Sequence, residues 1–155
     1  MKVADVMTRR VVSVVPDASI RVALVLMLKN KFSGLPVINA SGDLVGIVTE
    51  GDFLRRGETG TEKTRSPWYD AFIGTGEAAS AYIRAHGLKV RDVMTQEPIT
   101  VTEHTPLREA VDLMERRGIK RLPVLRDAKV VGIVSRANLL RAGESVARCA
   151  SAIEE

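Results

Sequence analysis

The segment Lys2-Val-Ala-Asp-Val-Met-Thr8 returns 87 positions later as Lys89-Val-Arg-Asp-Val-Met-Thr95, with six of seven residues identical. At the same offset Leu35-Pro36-Val37 returns as Leu122-Pro123-Val124. Gly46-Ile47-Val48-Thr49 then returns as Gly132-Ile133-Val134-Ser135, with the offset shortened to 86. Three blocks repeated in one order are a duplication, and a duplicated chain folds as two like units. The residue lost between the second and third blocks falls where Asn39–Asp43 becomes Arg126–Lys129. A hairpin loop tolerates such a change; a strand ladder does not.

Each copy carries the same succession of patterns. A β-rich run, Val11–Val15 or Ile99–Thr102, follows the Asp-Val-Met-Thr block. Ile20, Ala23, Leu24, Met27 and Leu28 then fall at the spacing of one buried helical stripe. The counterpart helix turns Leu107, Ala110, Val111 and Met114 inward and Glu109, Asp112, Glu115 and Arg116 outward, with Thr105-Pro106 as N-cap and first helical residue. Two apolar strands flank a polar loop, Leu35–Ile38 with Leu44–Val48 and Leu122–Leu125 with Val130–Val134, and a short helix closes each copy at Asp52–Arg56 or Asn138–Arg141. The order is β-α-β-β-α twice, an α/β (α+β) fold with repeats at 2–56 and 89–142 and a polar tail at 143–155. A repeat of about 55 residues buries little surface alone. The two are therefore expected to pack sheet against sheet with pseudo-two-fold symmetry.

Residues 57–88 form an insert too long to be structureless. Ser66-Pro67 reads as the start of a helix through Trp68–Ile73, and Glu77–His86 as a second helical segment ending at Gly87. Trp68, Phe72, Ile73, Tyr82 and Ile83 make it an anchor, packed on the core or on a partner chain, in preference to a lid.

Composition narrows the function. A chain of 155 residues with 45% hydrophobic and 27% charged residues is a globular protein rather than a disordered one. The longest apolar run, Val22–Leu28, is far short of a membrane span. The single cysteine, Cys149, forms no internal disulfide, and Met1 leads directly into a patterned segment; the expected compartment is the cytoplasm. The net charge of +4 is dispersed in short pairs such as Arg9-Arg10 and Lys120-Arg121, without interleaved aromatics. Small phosphorylated ligands are favoured over nucleic acid. His86 and His104 stand apart, and neither metal-ligand spacing nor a glycine-rich phosphate loop is present. The expectation is a protein that is not an enzyme and requires no cofactor or metal.

Asp-Val-Met-Thr, an amphipathic helix, Leu-Pro-Val and Gly-Ile-Val-[Thr/Ser]-x-x-[Asp/Asn], all occurring twice, resemble the cystathionine-β-synthase (CBS) domain, and the tandem resembles a Bateman module. With Arg65-Ser-Pro-Trp-Tyr69 and Tyr82-Ile-Arg-Ala-His-Gly87, the insert is similar to that of a bacterial subgroup of stand-alone CBS pairs. The resemblance implies clefts between the repeats for adenosine-containing ligands: AMP, ADP, ATP, S-adenosylmethionine or NAD. In the better cleft it implies Asp52 on the ribose and Thr49 on ribose or phosphate, where a strand passes into a helix. Pro98, Ile99 and Thr100 would lie against the base, Ile119 would form an apolar wall, and Lys120 and Arg121 would face phosphates.

The second cleft would use Ser135 and Asn138 with Val11, Val12 and Ser13. Asn138 stands in place of Asp, and Ser33-Gly34 in place of Lys120-Arg121, so that this cleft is expected to be the weaker. Thr49-x-x-Asp52 and Ser135-x-x-Asn138 are also capping arrangements that need no ligand. The competing function is a dimerisation or partner-interaction module with vestigial clefts; the resemblance implies homodimers paired through the amphipathic helices into a disc, with an effector protein as a further partner.

Overall fold

A computed structural model describes residues 1–55 and 87–151, which fall into two compact units, Val12–Glu97 and Met1–Val11 with Pro98–Glu155. The helices expected at Trp68–Ile73 and Glu77–His86, their aromatic anchor, His86 and Arg56 lie outside the described residues.

The 12–97 unit contains α2 (Ile20–Asn30), β1 (Gly34–Ile38), β2 (Leu44–Thr49), α3 (Glu50–Arg55), α4 (Val90–Val93) and β3 (Thr95–Gln96). Its sheet is ordered β1-β2-β3, antiparallel throughout, and Val14 bridges Val37 in parallel on the outer side of β1. The other unit opens with α1 (Val3–Val6) and continues, from residue 98, with β4 (Val101–Thr102), α5 (Leu107–Arg117), β5 (Arg121–Arg126), β6 (Lys129–Ser135) and α6 (Arg136–Ser151). Here β4 pairs parallel to β5, β5 antiparallel to β6, and Thr8 bridges Ile133 on β6. The two ladders are the same ladder, built twice.

The repeats of the sequence are therefore not the compact units. Each Asp-Val-Met-Thr block belongs to the unit built from the other copy. In the 1–11/98–155 unit, Val3 is fully buried among Val101, Met114, Leu122 and Val134; in the 12–97 unit, Val90 is fully buried among Val14, Met27, Leu35 and Val48. The aspartate of the block caps its own turn, with Asp5 accepting from the Lys2 N–H at 2.7 Å and Asp92 from that of Lys89 at 2.8 Å. The methionine lies over a glycine: a Cβ at Gly46 would come within 2.6 Å of Met94 Sδ, and one at Gly132 within 2.6 Å of Met7 Sδ. Only glycine leaves room for that crossing.

The long helices follow the expected stripes except at Leu28, which was expected inward and is 63% exposed. Ile20, Ala23 and Met27 are buried on α2, and Ala110 and Met114 on α5. Ser19 caps α2 by accepting from the Val22 N–H at 3.4 Å. On α5 the cap position falls on Pro106, one residue later than expected, because the Thr105 hydroxyl is turned back to accept from the Thr102 N–H at 3.0 Å. A second correction concerns the C-terminal region. The closing helix does not stop at Arg141 before a polar tail but runs on through Ser151, with Cys149 on it.

The shortened hairpin is where the offset placed it. Ile38 pairs with Leu44 around a five-residue loop, whereas Arg126 pairs with Lys129 around Asp127 and Ala128, at φ 49° and 63°. Two left-handed residues in succession make a type I′ turn, for which alanine is a poor choice. Ala128→Gly is expected to stabilise the protein by about 0.5–1 kcal/mol, read as a higher urea midpoint at unchanged slope. Beside this turn the Arg126 guanidinium grips Glu103 with two bonds, Nε to Oε1 at 2.6 Å and Nη2 to Oε2 at 2.5 Å. These bonds hold the Glu103 carboxyl below the usual carboxylate range. Its contribution to stability is thus present above the ordinary glutamate pKa and lost as pH falls through the lowered one.

Candidate functional site

Strand β2 ends at Thr49 and α3 begins at Glu50, so that the Thr49-x-x-Asp52 motif spans a strand-to-helix junction. Asp52 folds back on the junction. Its Oδ2 accepts from the Thr49 N–H at 2.7 Å and from the Thr49 hydroxyl at 3.1 Å. Its Oδ1 accepts from the Thr95 hydroxyl at 3.3 Å, a long bond, and the side chain is only half buried. A carboxylate oxygen offers two lone-pair directions, so Oδ1 has acceptor capacity to spare.

The twin junction uses its groups differently. Asn138 Oδ1 accepts from the Ser135 N–H at 2.9 Å and the Ser135 hydroxyl at 2.6 Å. Its amide Nδ2 donates to the Val6 carbonyl at 2.9 Å and to Thr8 Oγ1 at 3.1 Å. Both amide hydrogens are used, and the residue is only 6% exposed. Asn138 is a clasp between the junction and the N-terminal segment. This capping role accounts for every polar atom of its side chain.

The residues of each expected cleft are divided between the two units. Thr49 and Asp52 share the 12–97 unit with Val12, Ser13 and Gly34, whereas Pro98, Ile99, Thr100, Ile119, Lys120, Arg121, Val11, Ser135 and Asn138 belong to the other. Within the first of these, Gly34 is the register partner of Thr49 and is buried, Val12 packs on the core, and Ser13 is exposed. Within the second, Arg121 is the register partner of Ser135, and the Lys120 carbonyl accepts from the Arg136 N–H at 3.0 Å, so that the basic pair lies beside the Asn138 junction. Ile99 and Ile119 pack on the same core; Pro98 and Thr100 are half buried, and the Lys120 side chain is exposed. The residue that sequence reasoning missed is Thr95, which closes the site against Asp52 from 43 positions away. Its signal was present, as the last letter of the duplicated Asp-Val-Met-Thr block.

Among the described residues no group of three His, Cys, Asp or Glu side chains could hold a metal, and no helix is long and apolar enough to cross a membrane.

Two like ladders, each ending in a hydroxyl-x-x-carboxylate or hydroxyl-x-x-amide junction, define a tandem α/β module. The CBS domain family model matches residues 3–58 and 90–145, and the chain belongs to the CBS-domain family as a tandem pair. Two chloroplastic CBS domain-containing proteins of Arabidopsis thaliana, CBSX1 and CBSX2, are each 34% identical to it, over 86% and 94% of its length. The chain spans 59% and 65% of these relatives. The crystal structure of CBSX2 in complex with AMP superposes with a TM-score of 0.71 at 32% identity, covering 94% of this chain and 97% of that one. The CBS domain pair of protein MJ0100, in complex with 5′-methylthioadenosine and S-adenosyl-L-methionine, superposes with a TM-score of 0.67 at 25% identity, covering 92% and 98%.

Proposed function

We propose that the chain is a regulatory module, not a catalyst, that binds an adenosine-containing nucleotide, with Asp52 as the ribose ligand and Thr49 beside it. The observation that carries this reading is the unspent acceptor capacity of the half-buried Asp52 carboxylate, set against the fully committed Asn138. A ribose diol presents two donors to such a carboxylate and gains charge-assisted hydrogen bonds. The binding partners of CBSX2 and MJ0100 support the same ligand class. Pro98, Ile99, Thr100 and Ile119 remain the candidates for base contacts and Lys120 and Arg121 for phosphate. Calorimetry with AMP, ADP, ATP, S-adenosylmethionine and NAD is expected to find at least one ligand, with binding reduced tenfold or more by Asp52→Ala, the loss of about 1.4 kcal/mol or more. No heat from any member at millimolar concentration would sink the proposal. Comparing AMP with adenosine in Lys120→Ala and Arg121→Ala separates a phosphate contact from a structural role.

A second reading, self-association, rests on a difference between twin helices. On α2, Val22, Val25 and Leu28 are 46%, 53% and 63% exposed; the equivalent positions on α5 are Glu109, Asp112 and Glu115. An apolar stripe exposed on one twin and acidic on the other suits α2 to pairing with α2 of a second copy. Sedimentation is expected to show a dimer at micromolar concentration and a monomer for Val25→Glu. A wild-type monomer would remove this reading.

A further inference from the structure

We propose that Thr95 is a specificity-setting residue of the Asp52 site, a latch that an entering ribose must displace. The inference rests on the reading of Asp52 as the ribose ligand and concerns what stands in the ligand's way. Thr49 takes both available directions of Oδ2 with its amide and hydroxyl. Oδ1 is the oxygen left for a ligand, and the Thr95 hydroxyl already points its proton there. The exposed Thr95 side chain occupies the approach to that oxygen. A diol therefore exchanges one long hydrogen bond for shorter ones, and Thr95 determines the cost of the exchange.

The twin junction shows what a permanent clasp looks like. Thr8 Oγ1 accepts from the Asn138 amide, which also holds the Val6 carbonyl, so two bonds fix the segment. A carboxylate has no hydrogen for a carbonyl, and the Asp52 side chain keeps Thr95 by a single accepted bond. The backbone is also under tension two residues further on. Glu97 sits at φ 48°, a left-handed conformation unfavourable for a side-chain-bearing residue, whereas its twin Arg10 keeps a negative φ. The Thr95 backbone stays laddered to β2 opposite Ile47, so what a ligand displaces is the Thr95 hydroxyl alone.

The test uses AMP as the probe and the full chain. Thr95→Val keeps the shape and removes the competing donor, so AMP is expected to bind about threefold to tenfold more tightly, while Thr95→Ser binds as the wild type. In thermal unfolding Thr95→Val is expected to melt below the wild type without AMP and level with it at saturating AMP, because the bound state no longer contains the Thr95 bond. The Thr95 methyl resonance of the wild type is expected to shift on AMP addition, a readout that needs no variant. Unchanged or weaker AMP binding by Thr95→Val, or an unmoved Thr95 methyl in a wild type that binds AMP, would overturn the latch and leave the nucleotide reading standing. A wild type that binds no AMP overturns the nucleotide reading for this probe, and the latch with it.

Discussion

Deleting residues 1–8 is expected to unfold the 98–139 region and to leave residues 12–49 folded. The deletion removes Val3, fully buried, and Met7, 8% exposed, from a core whose remaining members are Val101, Ala110, Met114, Leu122, Val124 and Val134. Burying one such side chain is worth about 1.5–3 kcal/mol, so the apolar loss alone is about 3–6 kcal/mol. Polar losses add to it. The Thr105 and Glu103 carbonyls lose the N–H groups of Val3 and Ala4, the Ile133 N–H and carbonyl each lose their bond to Thr8, and both Asn138 amide hydrogens lose their acceptors. A domain of this size holds about 5–15 kcal/mol in all. Hydrogen exchange read residue by residue is the appropriate measurement. If Asp-Val-Met-Thr served its own repeat, protection would instead collapse around Leu35 and Val48 and persist around Leu122 and Val134, and that result would refute the exchanged arrangement.

That exchange is what the sequence could not disclose. The hairpin strands and the two long helices were legible to within a residue or two, because the apolar runs Leu-Pro-Val-Ile and Gly-Ile-Val and the stripe through Ile20, Ala23 and Met27 are local signals; the run Val11–Val15 yields only a bridge at Val14, and the closing helix runs ten residues past Arg141. The shortened hairpin was legible because a one-residue gap has only one tolerable location. The partner of Met7 was not legible. Lys2–Thr8 and Lys89–Thr95 are nearly identical, so either block fits either glycine, Gly46 or Gly132, and only chain connectivity in three dimensions decides. Thr105 failed as a cap because its hydroxyl accepts from the Thr102 N–H in the preceding turn, a partner that a cap motif does not disclose. At the candidate site, Thr49 and Asp52 were singled out through the family resemblance of their motif, while Thr95 was hidden by its distance along the chain. Asn138 was expected to make the weaker cleft for its missing charge; its engagement with a carbonyl 132 residues away was not legible.

The two junctions make opposite demands on one position, and exchanging their residues exposes the conflict. Asn138→Asp places a carboxylate at a 6% exposed site facing the Val6 carbonyl, with no hydrogen to offer. Thr8 can rotate to donate, as Thr95 does to Asp52, but the bond to Val6 is lost and two acceptors are opposed. The expected cost is about 2–4 kcal/mol at neutral pH. Burial raises the pKa of the new carboxyl and favours its protonated form, which restores a donor, so the deficit is expected to shrink as pH falls. Asp52→Asn runs the other way. Val93 stands where Val6 stands in the twin block, and an amide at position 52 can clasp its carbonyl as Asn138 clasps that of Val6. Asp52→Asn is expected to raise the melting temperature by a few degrees, about 0.5–1.5 kcal/mol, while weakening AMP binding about tenfold by trading charge-assisted bonds for neutral ones. One substitution that gains stability and loses affinity is the signature of a residue kept for a ligand at the expense of the fold. If Asp52→Asn lowers the melting temperature and Asn138→Asp does not, the carboxylate is the structural group and the amide the expendable one, and the asymmetry argued for the two junctions is reversed.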